Sequence, residues 1–192
     1  EGKTNNILMV TYSIIQKSKL EGAHRIDAEY YQPKYLRFDI LRKLPGDSLK
    51  NVAKCFSGFA FPSEEFSKIG EVPVIKMTEI IGNGFIDFSN AESISSAYCE
   101  NNKSICKRFS VCSGDIVVAL TGATIGKVGI VLENKALLNQ RVLLCRPPAV
   151  SGGYIWALLS SNFFKDFIVR GALGGAQPNV SPKYAIDFHV PI

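Results

Sequence analysis

Histidine is scarce in this chain. His24 and His189 are the only two, and neither stands in a recognisable order with a cysteine or aspartate that would make a nucleophile and its base. Closely spaced cysteines are missing as well. Cys55, Cys99, Cys106, Cys112 and Cys145 include no Cys-x-x-Cys, so no compact zinc set is offered, and an odd number leaves one thiol over in any complete disulfide scheme. A reduced, cytoplasmic setting is the expectation. No apolar run approaches the ~20 residues of a membrane helix. The N-terminal NNILMVTYSII is short and lacks a small-residue cleavage site, so no signal peptide is expected. The only Pro-Pro, Pro147-Pro148, lies between Arg146 and Ala149, which is not the Asn/Asp-Pro-Pro-aromatic arrangement of an amino-methyltransferase. No internal repeat or low-complexity tract interrupts the chain. The expectation is a protein without catalysis of its own, without cofactor and without metal.

What is present fits one globular unit. The chain has 192 residues, 46% hydrophobic and 20% charged, enough for one domain with a real core. Its formal net charge of +5 is unevenly spread. Residues 51–100 carry three lysines and seven acidic residues, a net of −4, whereas residues 101–150 carry four lysines, three arginines and two acidic residues, a net of +5. Such asymmetry favours an anionic partner on one side of the fold, although a solvated surface of alternating sign would look the same.

Periodicity divides the chain. Residues 1–24 read as a lead-in without clear pattern, and 25–192 as a single domain. Helical spacing from Asp27 includes Leu36, Ile40 and Leu44 and stops at Pro45-Gly46. A short helix follows over 48–55. Residues 72–80, 84–88, 115–121, 127–133 and 136–146 are β-branched or apolar runs bounded by Gly, Asn and Ser, and read as strands. Residues 97–110 are a short helix or a loop. A last helix is expected over 154–170, with Ile155, Leu159, Phe163 and Phe167 on one stripe, stopped by Gly171, Gly174 and Gly175. An extended, Pro-broken tail ends the chain. The fold class is α+β: a strand-rich compact body of twisted sheets, β-helix- or barrel-like in one version, with an N-terminal and a C-terminal helix.

The most telling stretch is GDIVVALTGATIGKVGIVLENKALLNQRVLLCR at 114–146. Within it, residues 121–127 offer hydroxyls, bare amides and one cation. They do not make a nucleotide-binding loop, since three rather than four residues separate Gly122 from Gly126 and Val128 follows Lys127. Thr121, Thr124 and Lys127 could instead meet a DNA phosphate. Asn139-Gln140-Arg141 has amide and guanidinium groups of the kind that pair with base edges. On a strand, alternation would turn Gln140 away from its neighbours and fit it to satisfy backbone groups, which leaves Arg141 a phosphate or scaffold role. Lys76 and Thr78, alternating with Ile75 and Met77, would share the solvent or DNA face of a strand. Phe59 and Phe61 read as core, and the adjacent Glu64-Glu65 as no catalytic pair.

Four segments in register carry a resemblance: RIDAEYYQPKY at 25–35, SGFAFPSEEF at 57–66, the stretch at 114–146, and QPNVSPKYAIDFHVPI at 177–192. Together they resemble the target-recognition domain of a type I restriction–modification specificity (S) subunit, over nearly the whole chain. The resemblance implies sequence-specific recognition of double-stranded DNA, one half of a bipartite site. It also implies methylation (M) and restriction (R) subunits as partners that do the chemistry, and no membrane. Such a subunit carries two recognition domains separated by long helices. This chain would therefore be a half-subunit, which could self-associate, a fragment, or the specificity end of a fused restriction–methyltransferase. A protein-interaction module without a DNA role is the alternative from another class. Segments that resemble the family must build the shared scaffold, so base readers are expected where the chain is individual, at 79–110 and 171–176, with Asn83, Asn90, Asn101 and Asn102 as candidates.

Overall fold

A computed structural model of the chain describes residues 12–18, 20, 26–36, 38–82, 84–132, 135–172 and 179–192. Most of the lead-in, His24, Asn83 and residues 173–176 lie outside these, so the expectations placed on them are left where they stand.

After a 3-10 turn at Ala28–Tyr31 come two single-turn helices, α1 (Pro33–Leu36) and α2 (Phe38–Leu41). Strand β1 (Gly46–Ser48) leads into α3 (Leu49–Val52) and β2 (Lys54–Ser57). Next are β3 (Val72–Ile75), β4 (Gly84–Phe85) and β5 (Ser93–Ile94), then α4 (Ser96–Asn101) and α5 (Lys103–Arg108). Four strands follow: β6 (Ile116–Ala119), β7 (Val128–Ile130), β8 (Leu137–Leu138) and β9 (Val142–Arg146). The chain then folds into α6 (Gly152–Leu159), α7 (Asn162–Ala172), α8 (Pro182–Ile186) and β10 (His189–Pro191). The sheets are open: β2-β9-β6-β7-β4, β5-β3-β8, and the pair β1-β10.

Side-chain alternation stacks these elements in layers. On β6, Ile116 and Val118 join the core formed with the C-terminal helices, through Ile155, Phe164 and Phe188, while Val117 and Ala119 face a second core. On β9, Leu143 and Cys145 take the helix side, Val142 and Leu144 the other. Both strands are thus buried on both faces, which is why their sequences run apolar without a polar alternate. The second core is closed by Ile75 and Leu138 of the three-stranded sheet. The far face of that sheet, Val74, Ile94 and Leu137, packs with Phe61 and Cys106, and with Phe59, Tyr98 and Phe109 around them. The order is helices, five-stranded sheet, three-stranded sheet, then α4 and α5.

Several expected elements come out shorter, each for a local reason. The strand expected over 72–80 stops at Ile75, because the Glu79 carboxylate accepts the Lys76 amide at 2.7 Å and the Thr78 hydroxyl at 2.8 Å and curls 77–79 into a 3-10 turn. Lys76 and Thr78 therefore do not share a strand face. The long C-terminal helix is two, broken at Ser160-Ser161. There the Ser161 hydroxyl donates to the Leu158 carbonyl at 2.6 Å and accepts from the Phe164 amide at 3.4 Å. Gly171 does not stop α7 but lies inside it, and its missing side chain admits a ring: a β-carbon there would sit 2.3 Å from Tyr184 Cε1. The supposedly extended tail contains α8, with Ser181 accepting the Tyr184 amide at 3.2 Å and Pro182 in its first turn. Residues 97–110 form two short helices.

Candidate nucleic-acid interface

Pairing registers bring the ends of many strands to one end of the molecule. Ala119 of β6 is opposite Val142 of β9, Ser57 of β2 opposite Leu143, and Val118 opposite Val128 of β7. In the parallel pair β3 and β8, Ile75 and Leu138 close the ladder side by side. The connections 58–62, 76–79, 120–127 and 139–141 all leave from this end. The segment at 179–180 joins them: Thr121 bridges Asn179, and the Val180 amide donates to the Leu120 carbonyl at 2.9 Å.

The centre of this end is the three-residue crossing from β8 to β9, two strands that belong to different sheets. The Asn139 amide donates to the Ile75 carbonyl at 3.0 Å, and the Gln140 amide donates to the Phe59 carbonyl at 2.9 Å and to Asn139 Oδ1 at 2.7 Å. Arg141 has φ +27°, the one positive φ outside glycine among the described residues. That conformation costs an L-residue roughly 1–2 kcal/mol, and the turn holds it in place. Asn139-Gln140-Arg141 is thus a turn tip and not part of a continuous strand. The expected scaffold role of the Gln140 side chain is also corrected. It is exposed, it makes no hydrogen bond among the described residues, and the backbone acceptor at Phe59 is met by Gln140's own amide.

Gln140 and Arg141 form a ridge between two clefts. One, of about 240 Å³, is lined by Ser57, Gly58, Thr121, Asn179 and Pro182, and the other, of about 200 Å³, by Lys76, Met77 and Thr78. Thr121 is buried, and its hydroxyl is engaged by the Met77 sulfur. The Thr124 hydroxyl donates to the Thr121 carbonyl at 3.3 Å. Lys76 is ion-paired with Glu92, and its ammonium lies 3.7 Å from the centroid of the Phe66 ring. By contrast Arg141, exposed, and Lys127, half-buried, form no ion pair among the described residues. Arg141 and Lys127 both flank the end of β6: the Leu120 amide donates to the Arg141 carbonyl at 3.3 Å, and the Ala119 amide to the Lys127 carbonyl at 3.0 Å.

Asn101 and Asn102 line neither cleft. They fall at the break between α4 and α5, where Asn101 is exposed and the Asn102 amide nitrogen donates to the Tyr98 carbonyl at 3.0 Å. Phe59 and Phe61 are confirmed as packing residues, with ring centroids 5.2 Å apart and Phe59 stacked on Phe109 at 5.3 Å. Among the described residues no group of three or more His, Cys, Asp or Glu side chains is arranged to hold a metal ion, and no helix is long and apolar enough to cross a membrane.

No family model matches the chain, and no curated protein does. Solved structures do. One is the S subunit of a type I restriction–modification system from M. genitalium, 15% identical, with a TM-score of 0.52 over 83% of this chain and 37% of that one. A second, from work on complex assembly and conformational transition of the type I restriction–modification system, is 13% identical, with a TM-score of 0.54 over 91% of this chain and 44% of that one. A third is the type IIG restriction endonuclease BpuSI, 10% identical, with a TM-score of 0.60 over 93% of this chain and 28% of that one. The chain shares the fold of the matched parts of these structures and spans less than half the length of each.

Proposed function

We propose that the chain recognises double-stranded DNA in a sequence-specific way, with the loop-bearing end of its two sheets as the contact surface, and does no chemistry itself. The observation that carries this reading is the turn at 139–141. A guanidinium and a carboxamide, both without a side-chain partner among the described residues, project there from a strained, backbone-anchored tip between two clefts. Groups of this kind, held still, suit phosphate contact and base-edge pairing in a major groove. The fold shared with a type I S subunit supports a place beside methylation and restriction subunits, with the chain supplying half of a bipartite target. The likeness to BpuSI favours a second reading, the specificity domain of a single fused enzyme.

Within this proposal Arg141 and Lys127 contact phosphates. Thr121, Thr124 and Lys76 act chiefly by shaping the loops, because their polar groups are already engaged. Base reading is drawn from Gln140 and Thr78, which border a cleft, and from residues 79–110, where Asn101 is exposed. Selection of duplexes from a random library tests the reading: enrichment of one sequence is the expected result. Recovery of unselected DNA would leave only non-specific binding, and no recovery would favour a protein-interaction module.

A further inference from the structure

A third cleft opens beside the loop-bearing end, and two lysines from different elements line it. It measures about 190 Å³ and is lined by Gly82, Gly84, Gly126 and Val128 with Lys127, Ser160, Asn162 and Lys165. Lys127 comes from the loop after β6, Lys165 from the first turn of α7, elements far apart in sequence. Neither makes an ion pair among the described residues, and no carboxylate lines the cleft. Two lysines lining one cleft without a carboxylate make it a positive recess that favours an anion.

Glycines leave room for the two lysine stems. Gly82, Gly84 and Gly126 all have φ between +76° and +90°, where a side chain would be strained. The lysine stems lie over the bare backbone: a β-carbon on Gly82 would be 3.3 Å from Lys127 Cδ, and one on Gly126 would be 3.4 Å from Lys165 Cγ. Stems resting on such a floor lose less freedom when the amines bind. Ser160 and Asn162 add neutral hydrogen-bonding groups at the rim. We infer that this cleft seats one backbone phosphate of duplex DNA between Lys127 and Lys165, a step that rests on the DNA-recognition reading above and adds the α6–α7 corner to the contact surface.

The full chain, binding a random-sequence duplex across roughly 50–200 mM salt, provides the test, because each neutralised phosphate contributes about 0.9 to the log–log slope. Lys127→Gln and Lys165→Gln should each weaken binding several-fold at unchanged melting temperature. The double variant should lose about one unit of slope and not two, since one phosphate serves both amines. Lys165→Arg should restore most of the loss. A Lys165→Gln protein with the parent's affinity and slope overturns the phosphate seat alone. A double variant that loses two units overturns the shared seat in favour of two separate contacts. Inorganic phosphate at constant ionic strength should not compete with the duplex. Calorimetric phosphate binding that depends on Lys165, with duplex binding untouched, would make this a free-anion site and overturn the inference. A parent chain with no salt-dependent duplex binding removes the DNA reading itself and this step with it.

Discussion

An arginine stands at each end of strand β9, and the two are held in opposite ways. Arg146 is locked into the structure: its Nε and Nη2 donate to Asp115 Oδ1 and Oδ2 at 2.7 Å each, and Nη2 reaches the Ser110 carbonyl at 3.3 Å. Asp115 is 1% exposed and also accepts the Cys112 amide at 2.7 Å. Hydrogen bonding to this carboxylate pushes the Arg146 guanidinium further up from its ordinary pKa. Arg141, five positions earlier, has no carboxylate partner among the described residues and a strained backbone. The bidentate pair at one end is the form of ion pair that contributes to a fold. The uncompensated cation at the other end contributes little to folding and is available to an outside anion. One end of the sheet is closed by an internal ion pair, and the other leaves its arginine exposed.

The sharpest break in this comparison comes from Asp115→Ala, which strips the closed end of its acceptor. It should cost about 3 kcal/mol in urea unfolding, because the Arg146 Nε and the Cys112 amide lose their acceptor and the guanidinium loses its counter-charge. The fraction that remains folded should keep the parent's salt slope for DNA. A loss under about 0.5 kcal/mol would mean that the pair is no stronger than a surface one. Gly58→Ala acts at the opposite end. Its β-carbon would lie 2.2 Å from the Asn139 carbonyl oxygen, a backbone atom that cannot move aside alone. Overpacking of this kind costs about 1–3 kcal/mol, and the displaced 139–141 turn should also weaken DNA binding. Neutrality in both assays would show that the turn is not held where described. Gln140→Ala should be the mildest in stability, within about 0.5 kcal/mol of the parent, while changing affinity or preferred bases. A marked fall in melting temperature with unaltered binding would return Gln140 to the scaffold.

Much of the fold was legible because burial leaves a simple trace. IVVA at 116–119 and VLLCR at 142–146 are apolar on both faces, and no other element explains such runs with these flanks. The α+β class and the core role of Phe59 and Phe61 follow from the same logic. The interface was only half legible. Side-chain competition for backbone groups, by Glu79 at Lys76 and by Ser161 at Phe164, cuts elements where periodicity alone carries on. The hardest feature was the turn at 139–141, since Leu137-Leu138 and Val142-Leu143 look like one strand with a polar interruption. That they enter different sheets is a long-range fact, fixed by Ile75 and Phe59 through the Asn139 and Gln140 amides. Lys165 carried no local signal, because only the packing of α7 brings it over Gly126.

On the proposed reading, DNA meets the end of the sheets where Arg141 stands and not the end where β2 begins. Duplex binding across a salt series by the parent, Arg141→Gln and Lys54→Gln tests it most directly, since Lys54 is paired in register with Arg146 at the closed end. The parent should show a linear log–log fall with a slope of about −2 or steeper, from one phosphate at Arg141 and one between Lys127 and Lys165. Arg141→Gln should be shallower by about 0.9, with Lys54→Gln superimposed on the parent. A flat parent, or a slope that Lys54→Gln reduces and Arg141→Gln does not, would contradict it.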